Sequence, residues 1–225
     1  MGWKIILGLW MSTVIILALS LPMSTHPQNW YELPTIPGLE EKARIMFFHV
    51  PTAWLAAIAF VLSMVYGIRY LRTKKTDDDV RSASAAGLGL LFCLLATITG
   101  AIWARFSWGT FWNWDPRQTS IFVLLLIYGA YFALRSAVEI EEKRATLSAV
   151  YSIIGAVTMP FFMFIMPRIL ASLHPDPIIN VQGKVHMNST MLALFLASLA
   201  GFTGLFFWMW TLYIRVTHLE IRQLQ

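Results

Sequence analysis

The chain has 225 residues, 57% of them hydrophobic and 13% charged, with a formal charge of +5. Its apolar residues come in runs close to twenty long, which excludes an ordinary water-soluble globule and reads as an all-α polytopic membrane protein. The basic excess is explained by topology, set out below, and gives no reason to expect nucleic acid as a partner.

Crossing about 30 Å of hydrocarbon takes about 20 residues of helix. Six windows are of that order: 4–22, 46–70, 85–104, 120–136, 147–167 and 190–213. The first has a lysine, Lys4, ahead of an apolar core, as a secretory signal does. Its apolar stretch is longer than a signal core and no small-x-small cleavage pattern follows, so it is expected to persist as a helix. Pro22, Pro27, Pro34 and Pro37 with Gly38 keep 23–45 irregular, and Pro175 and Pro177 do the same for 168–189. Segments 71–84 and 137–146 are expected to be solvated connectors, one carrying Asp77, Asp78 and Asp79 and the other Glu139, Glu141 and Glu142. With no internal repeat and no long linker, residues 1–225 read as a single six-helix transmembrane domain. Cys93 is the one cysteine and lies in the third span, so there is no intramolecular disulfide, CxxC or CxxCH.

Six spans put both termini on one side. That side holds Lys4, Arg69, Arg72, Lys74, Lys75, Arg81, Arg135, Lys143, Arg144, Arg215 and Arg222, against Lys42, Arg44, Arg105, Arg117, Arg168 and Lys184 on the other. The positive-inside rule therefore predicts cytoplasmic termini. It also places 23–45, 105–119 and 168–189 on the outer face.

The outer segments hold the unusual chemistry. In "RFSWGTFWNWDPRQTS", residues 105–120, Asp115-Pro116-Arg117-Gln118 fits the first positions of a helix: an acidic cap, a proline where no N–H is needed, and a glutamine able to return the capping bond. Trp103, Trp108, Trp112 and Trp114 are four of the chain's ten tryptophans. An interfacial aromatic belt accounts for them, and so does a flat platform for an apolar ligand. If the segment is helical, Trp108 and Trp112 share a face.

Histidines bear on that choice. His26, His49, His174 and His186 fall on the outer side and His218 follows the last span. His49, in "RIMFFHVPTAW", enters the second span itself, where an ionisable group suggests function; a neutral interfacial imidazole bonded to a carbonyl is the plain alternative. His174, in "RILASLHPDP", lies just beyond the fifth span. Two imidazoles on one membrane face, flanking an aromatic patch, suit a planar metal macrocycle that takes nitrogen donors axially and indole surface against its faces. Arg44, Arg105, Arg117 and Arg168 either pair with acidic groups on such a ring's edge or anchor the chain at the interface.

"WGTFWNWD" followed by "PRQT" resembles the WWD signature of the haem-handling membrane proteins of cytochrome c maturation. "RIMFFHVPTAW" and the "LH" at 173–174 resemble the two histidine regions of the CcmC branch, the haem exporter protein C family. The likeness runs along almost the whole chain, and the single WWD segment, 105–119, favours this branch over the larger CcmF proteins. Phe111 and Gln118 depart from the pattern, standing where Trp and Leu are frequent.

The resemblance implies non-covalent haem b at the outer, periplasmic face of the cell inner membrane. His49 and His174 would be axial iron ligands, and Trp108, Trp112, Trp114, Asp115 and Arg117 would belong to the haem-binding platform. It further implies a non-enzymatic role with the ABC transporter CcmA/CcmB and the helper CcmD in loading haem onto the chaperone CcmE. Two other classes stay open: a quinol-oxidising electron-transfer subunit using the same haem, and a membrane scaffold without haem.

Overall fold

The computed structural model describes residues 2–175 and 187–223. Lys184, Pro177 and His186 lie outside the described residues. The helices are α1 (Gly2–Ser20), α2 (Met46–Thr73), α3 (Thr76–Trp108), α4 (Pro116–Ala137), α5 (Glu141–Pro160), α6 (Met166–Ile169) and α7 (Ser189–Gln223). A 3-10 turn over Glu40–Ile45 leads into α2, and a π-helical turn over Phe161–Ile165 joins α5 to α6. Six of these helical stretches are long and apolar enough to cross a membrane, as the six windows predicted.

α2 and α3 form the central antiparallel pair, with α5 and α7 packed on α2, α4 against α3 and α5, and α1 along α7. Phe60, Phe92, Leu124, Tyr128, Tyr131 and Phe206 fill the middle of the bundle. Phe60 and Tyr128 stack with ring centroids 3.6 Å apart and planes 10° from parallel. In a lipid-facing bundle such interdigitation, and not water exclusion, holds neighbouring helices together.

The helices run further than hydropathy predicts. The connector expected at 71–84 shrinks to Lys74 and Lys75, and α3 begins at Thr76. Two of the three aspartates there are not solvated: Asp78 is 1% exposed and Asp79 6%, while Asp77 stays half-exposed. Asp79 takes a two-pronged bond from Arg135 of α4, at 2.7 and 2.9 Å. Asp78 accepts from Thr73 Oγ1 at 2.8 Å and pairs with Arg69 at 3.2 Å, while Asp77 pairs with Arg81 at 2.7 Å. Carboxylates in a first helical turn favour the helix dipole, and partners on adjacent helices allow the charges to be buried. A hydropathy window registers neither effect.

At the opposite end, the segment expected to be irregular holds a short parallel bridge between β1 (Met23–Ser24) and β2 (Leu33–Pro34). Buried Leu33 sits with Val14, Phe47, Met191 and Phe195, fastening this segment over α1, α2 and α7. Arg44 donates to Ala18 O and Leu21 O at 2.9 and 2.8 Å, so its guanidinium satisfies carbonyls at the end of α1.

Candidate functional site

The site is built where α2 starts and α3 ends. Pro51 stands in the second turn of α2 and has no N–H to give to Phe47 O. Ser198 Oγ of α7 donates to that carbonyl instead, a repair needed where water is scarce. His49 lies in this proline-loosened turn. Its ring rests against α3 at Gly100, where an added Cβ would come 3.0 Å from His49 Cε1. A glycine is therefore what lets the imidazole approach the α3 backbone so closely.

One turn of α3 carries the two contacts that matter. His49 Nδ1 is 3.0 Å from Thr99 Oγ1, and Thr99 Oγ1 is 2.7 Å from Leu95 O. The one hydroxyl proton of Thr99 has carbonyl acceptors in Leu95 O at 2.7 Å and Ala96 O at 3.2 Å, and with the proton there Thr99 accepts from His49. That places the imidazole proton on Nδ1 and the lone pair on Nε2. Trp103, four residues on, is buried; its Nε1 donates to Lys42 O at 3.2 Å. Its ring meets Trp108 edge-on at 5.2 Å and lies 5.9 Å from the His174 ring.

His174 shows the same chemistry in a different setting. It follows α6 in a non-helical stretch, and its Nδ1 is 2.9 Å from Pro175 O. A carbonyl cannot donate, so this ring too is protonated on Nδ1 and keeps its Nε2 lone pair. Burial pushes its pKa below the ordinary histidine value, and the Arg117 guanidinium pushes the same way against the Pro175 carbonyl and the Asp115 carboxylate. At neutral pH His174 is therefore a neutral donor. His49 and His174 lie within electrostatic reach of each other.

The Trp-rich segment is not one helix. Gly109 adopts φ 86° and ends α3, so Trp108 and Trp112 do not share a helical face as the helical reading expected. Trp114 has φ 55°, a left-handed conformation that costs a bulky residue about 1–3 kcal/mol and persists only where the surroundings impose it. Its indole is 66% exposed. Trp112, Trp114 and Phe122 meet edge-on at centroid separations of 5.7–6.2 Å. Gln118 holds the loop from behind, its Oε1 accepting from Asn113 N at 2.8 Å and its Nε2 donating to Phe111 O at 3.3 Å. The glutamine thus bonds the loop above the cap, and does not return to Asp115 as the capping-box pattern suggests.

Asp115 is the N-cap of α4, as its sequence context predicts: Oδ1 accepts from Arg117 N at 2.9 Å. The same carboxylate, 5% exposed, also accepts from Leu173 N at 2.7 Å and from Ser172 Oγ at 3.0 and 2.9 Å. It therefore joins the Trp-rich segment to the stretch that carries His174. Beside that stretch a cleft of about 340 Å³ is lined by Ile36, Leu39, Trp103, Trp108 and Leu173 among others. Ser107 and the Pro37–Gly38 turn share its lining, so its walls are mixed apolar and polar.

The other described histidines stand apart from the site: His26 bonds Thr25 at the surface, and His218 pairs with Asp77 at the far end of the bundle. Arg105 and Arg168 donate to the nearby carbonyls of Gly109 and Phe164. Thr99, Ser172 and Ser198 escaped notice in the sequence. Thr99 and Trp103 do carry one legible sign, the spacing of four that puts both on one face of α3.

Comparison with known proteins agrees with this arrangement. Residues 4–225 match the family model described as heme exporter protein C. A protein named Heme exporter protein C from Bradyrhizobium diazoefficiens is 32% identical over 196 residues, covering 87% of this chain and 72% of its own length. Its namesake from Rhodobacter capsulatus is 31% identical over 178 residues, 79% of this chain and 74% of that one. A Marchantia polymorpha protein named as a putative cytochrome c biosynthesis ccmC-like mitochondrial protein is 31% identical over 169 residues, 74% of this chain and 71% of its own. The six spans, the Trp-rich segment closed by Asp115 and the match from end to end establish that this chain belongs to the heme exporter protein C family, membrane proteins of haem handling in cytochrome c maturation.

Proposed function

We propose that this protein holds non-covalent haem b at the periplasmic face of the inner membrane and passes it to the chaperone CcmE, working with CcmA/CcmB and CcmD. His49 and His174 would supply Nε2 lone pairs to the iron. Trp108, Trp112 and Trp114 would offer indole surface to the ring, with Arg117 near its acidic edge. Haem is cargo here and undergoes no bond-making with this chain beyond iron ligation.

One observation carries the reading: both imidazoles have Nδ1 committed to an oxygen acceptor, which leaves Nε2 as the metal-binding nitrogen in each. The two histidines stand within electrostatic reach of each other, His174 beside the Trp103 ring, and axial ligation would draw one Nε2 donor from each. Transfer needs only that one ligand leave.

The absorption spectrum of the purified protein tests this. A bis-imidazole haem spectrum is expected in the wild type, altered in His49→Ala and in His174→Ala, with CcmE recovered as a co-purifying partner. Haem that is absent, or a spectrum unchanged in both variants, defeats the proposal. Reduction of bound haem by quinol without loading of the chaperone supports an electron-transfer role instead.

A further inference from the structure

His174 has no helix to fix it. It sits after α6 with a proline on its C-terminal side, and a ligand so placed needs another anchor if it is to meet an iron atom reproducibly. The anchor is visible in the hydrogen bonds. Ser172 Oγ accepts from His174 N at 3.1 Å and donates its one proton to the Asp115 carboxylate, shared between the two oxygens at 3.0 and 2.9 Å. Leu173 N adds a bond to Asp115 Oδ2 at 2.7 Å. The residues on each side of the Leu173 peptide are thereby held by one buried carboxylate 57 residues away in the chain.

We propose that Ser172 and Asp115 form a positioning pair that holds His174 in its ligating place and makes the Trp-rich segment and the histidine stretch a single mechanical unit. The proposal rests on the reading of His174 as an iron ligand. Its physical basis is the charge-assisted bond. A carboxylate accepts at both oxygens without donating, so it can satisfy Arg117 N, Leu173 N and the Ser172 hydroxyl together. An amide of the same shape cannot, because one of its two positions becomes a donor facing other donors. The carboxylate also caps α4, directly after exposed Trp114, so one side chain joins the cap, the Trp-rich segment and the histidine stretch.

The test uses the full-length chain, purified with its haem, as wild type, His174→Ala, Ser172→Ala, Ser172→Thr and Asp115→Asn. Spectra are recorded with and without millimolar imidazole, and haem loss to an excess of a haem-scavenging protein is timed. Ser172→Ala and Asp115→Asn are expected to lose the six-coordinate low-spin signature, to release haem about tenfold faster, and to recover the wild-type spectrum when imidazole supplies the missing donor. Ser172→Thr, which keeps the hydroxyl, is expected to match the wild type. The proposal is overturned if Ser172→Ala matches the wild type, or if thermally stable Asp115→Asn has an altered spectrum that imidazole does not restore. A wild-type spectrum in His174→Ala overturns the ligand reading itself, a result distinct from failure of the pair.

Discussion

Replacing Thr99 by valine keeps the shape of the side chain and deletes one oxygen. In the wild type that oxygen accepts from His49 Nδ1 at 3.0 Å and is oriented by its own bond to Leu95 O at 2.7 Å. Valine leaves the ring N–H facing a methyl group, and a half-buried donor left without its partner costs about 1–3 kcal/mol. The Ala96 carbonyl lies close enough to take up part of that bond, which puts the expected loss near 1–2 kcal/mol. With about 1.4 kcal/mol per factor of ten, haem should bind roughly five- to thirtyfold more weakly in Thr99→Val. Removing the group that orients a metal-bound histidine costs about 10–100-fold in general, a range that overlaps this one. Haem dissociation into an excess of scavenger, followed by absorbance, measures the change. Thr99→Ser should retain wild-type behaviour. Haem held by Thr99→Val as tightly as by the wild type would refute the claim that Thr99 sets the His49 tautomer.

Other consequences follow from the same contacts. Ser198→Ala should destabilise the protein by about 1–2 kcal/mol, because Phe47 O loses its donor. In a Pro51→Ala background, where residue 51 regains its N–H, that penalty should vanish; an equal penalty in both backgrounds, read from thermal unfolding in detergent, rejects the account. Asp79→Ala should cost about 3–5 kcal/mol by leaving Arg135 unpaired in a buried place, whereas Asp79→Leu combined with Arg135→Met should recover most of the loss. The imidazole of His174, followed by NMR in the haem-free protein, should titrate below 6.5. Its folded value is lowered, so the unfolded chain binds the proton more readily; the contribution to stability is complete above 6.5 and is lost as pH falls toward the folded value. A midpoint at or above 6.5 contradicts the burial and the Arg117 field invoked here.

Most of the fold was legible because membrane crossing is a local requirement. A span needs about 20 apolar residues in succession, and that count can be made without knowing what the helix touches. The cap at Asp115 was legible for the same reason, since an N-cap and the N–H it binds are two residues apart. The polar ends of α2, α3 and α7 were not, because their stability depends on partners on other helices, as Asp79 depends on Arg135. Hydropathy had assigned Asp77, Asp78 and Asp79 to a solvated connector. Gly109 likewise ended α3 one residue past Trp108, and so separated two indoles whose spacing suggested a common face.

By itself, the sequence determined the number of spans and the start of α4, both of which follow from composition or from neighbours within a turn, and it singled out His49 and His174 as candidates. Only the tertiary structure decided what those histidines could do. Thr99 meets His49 across 50 residues because the start of α2 packs on the end of α3, and Ser172 meets Asp115 across 57 because the stretch after α6 docks on the start of α4. The tautomer of His49 and the anchoring of His174 depend on such docking, which chain order does not specify.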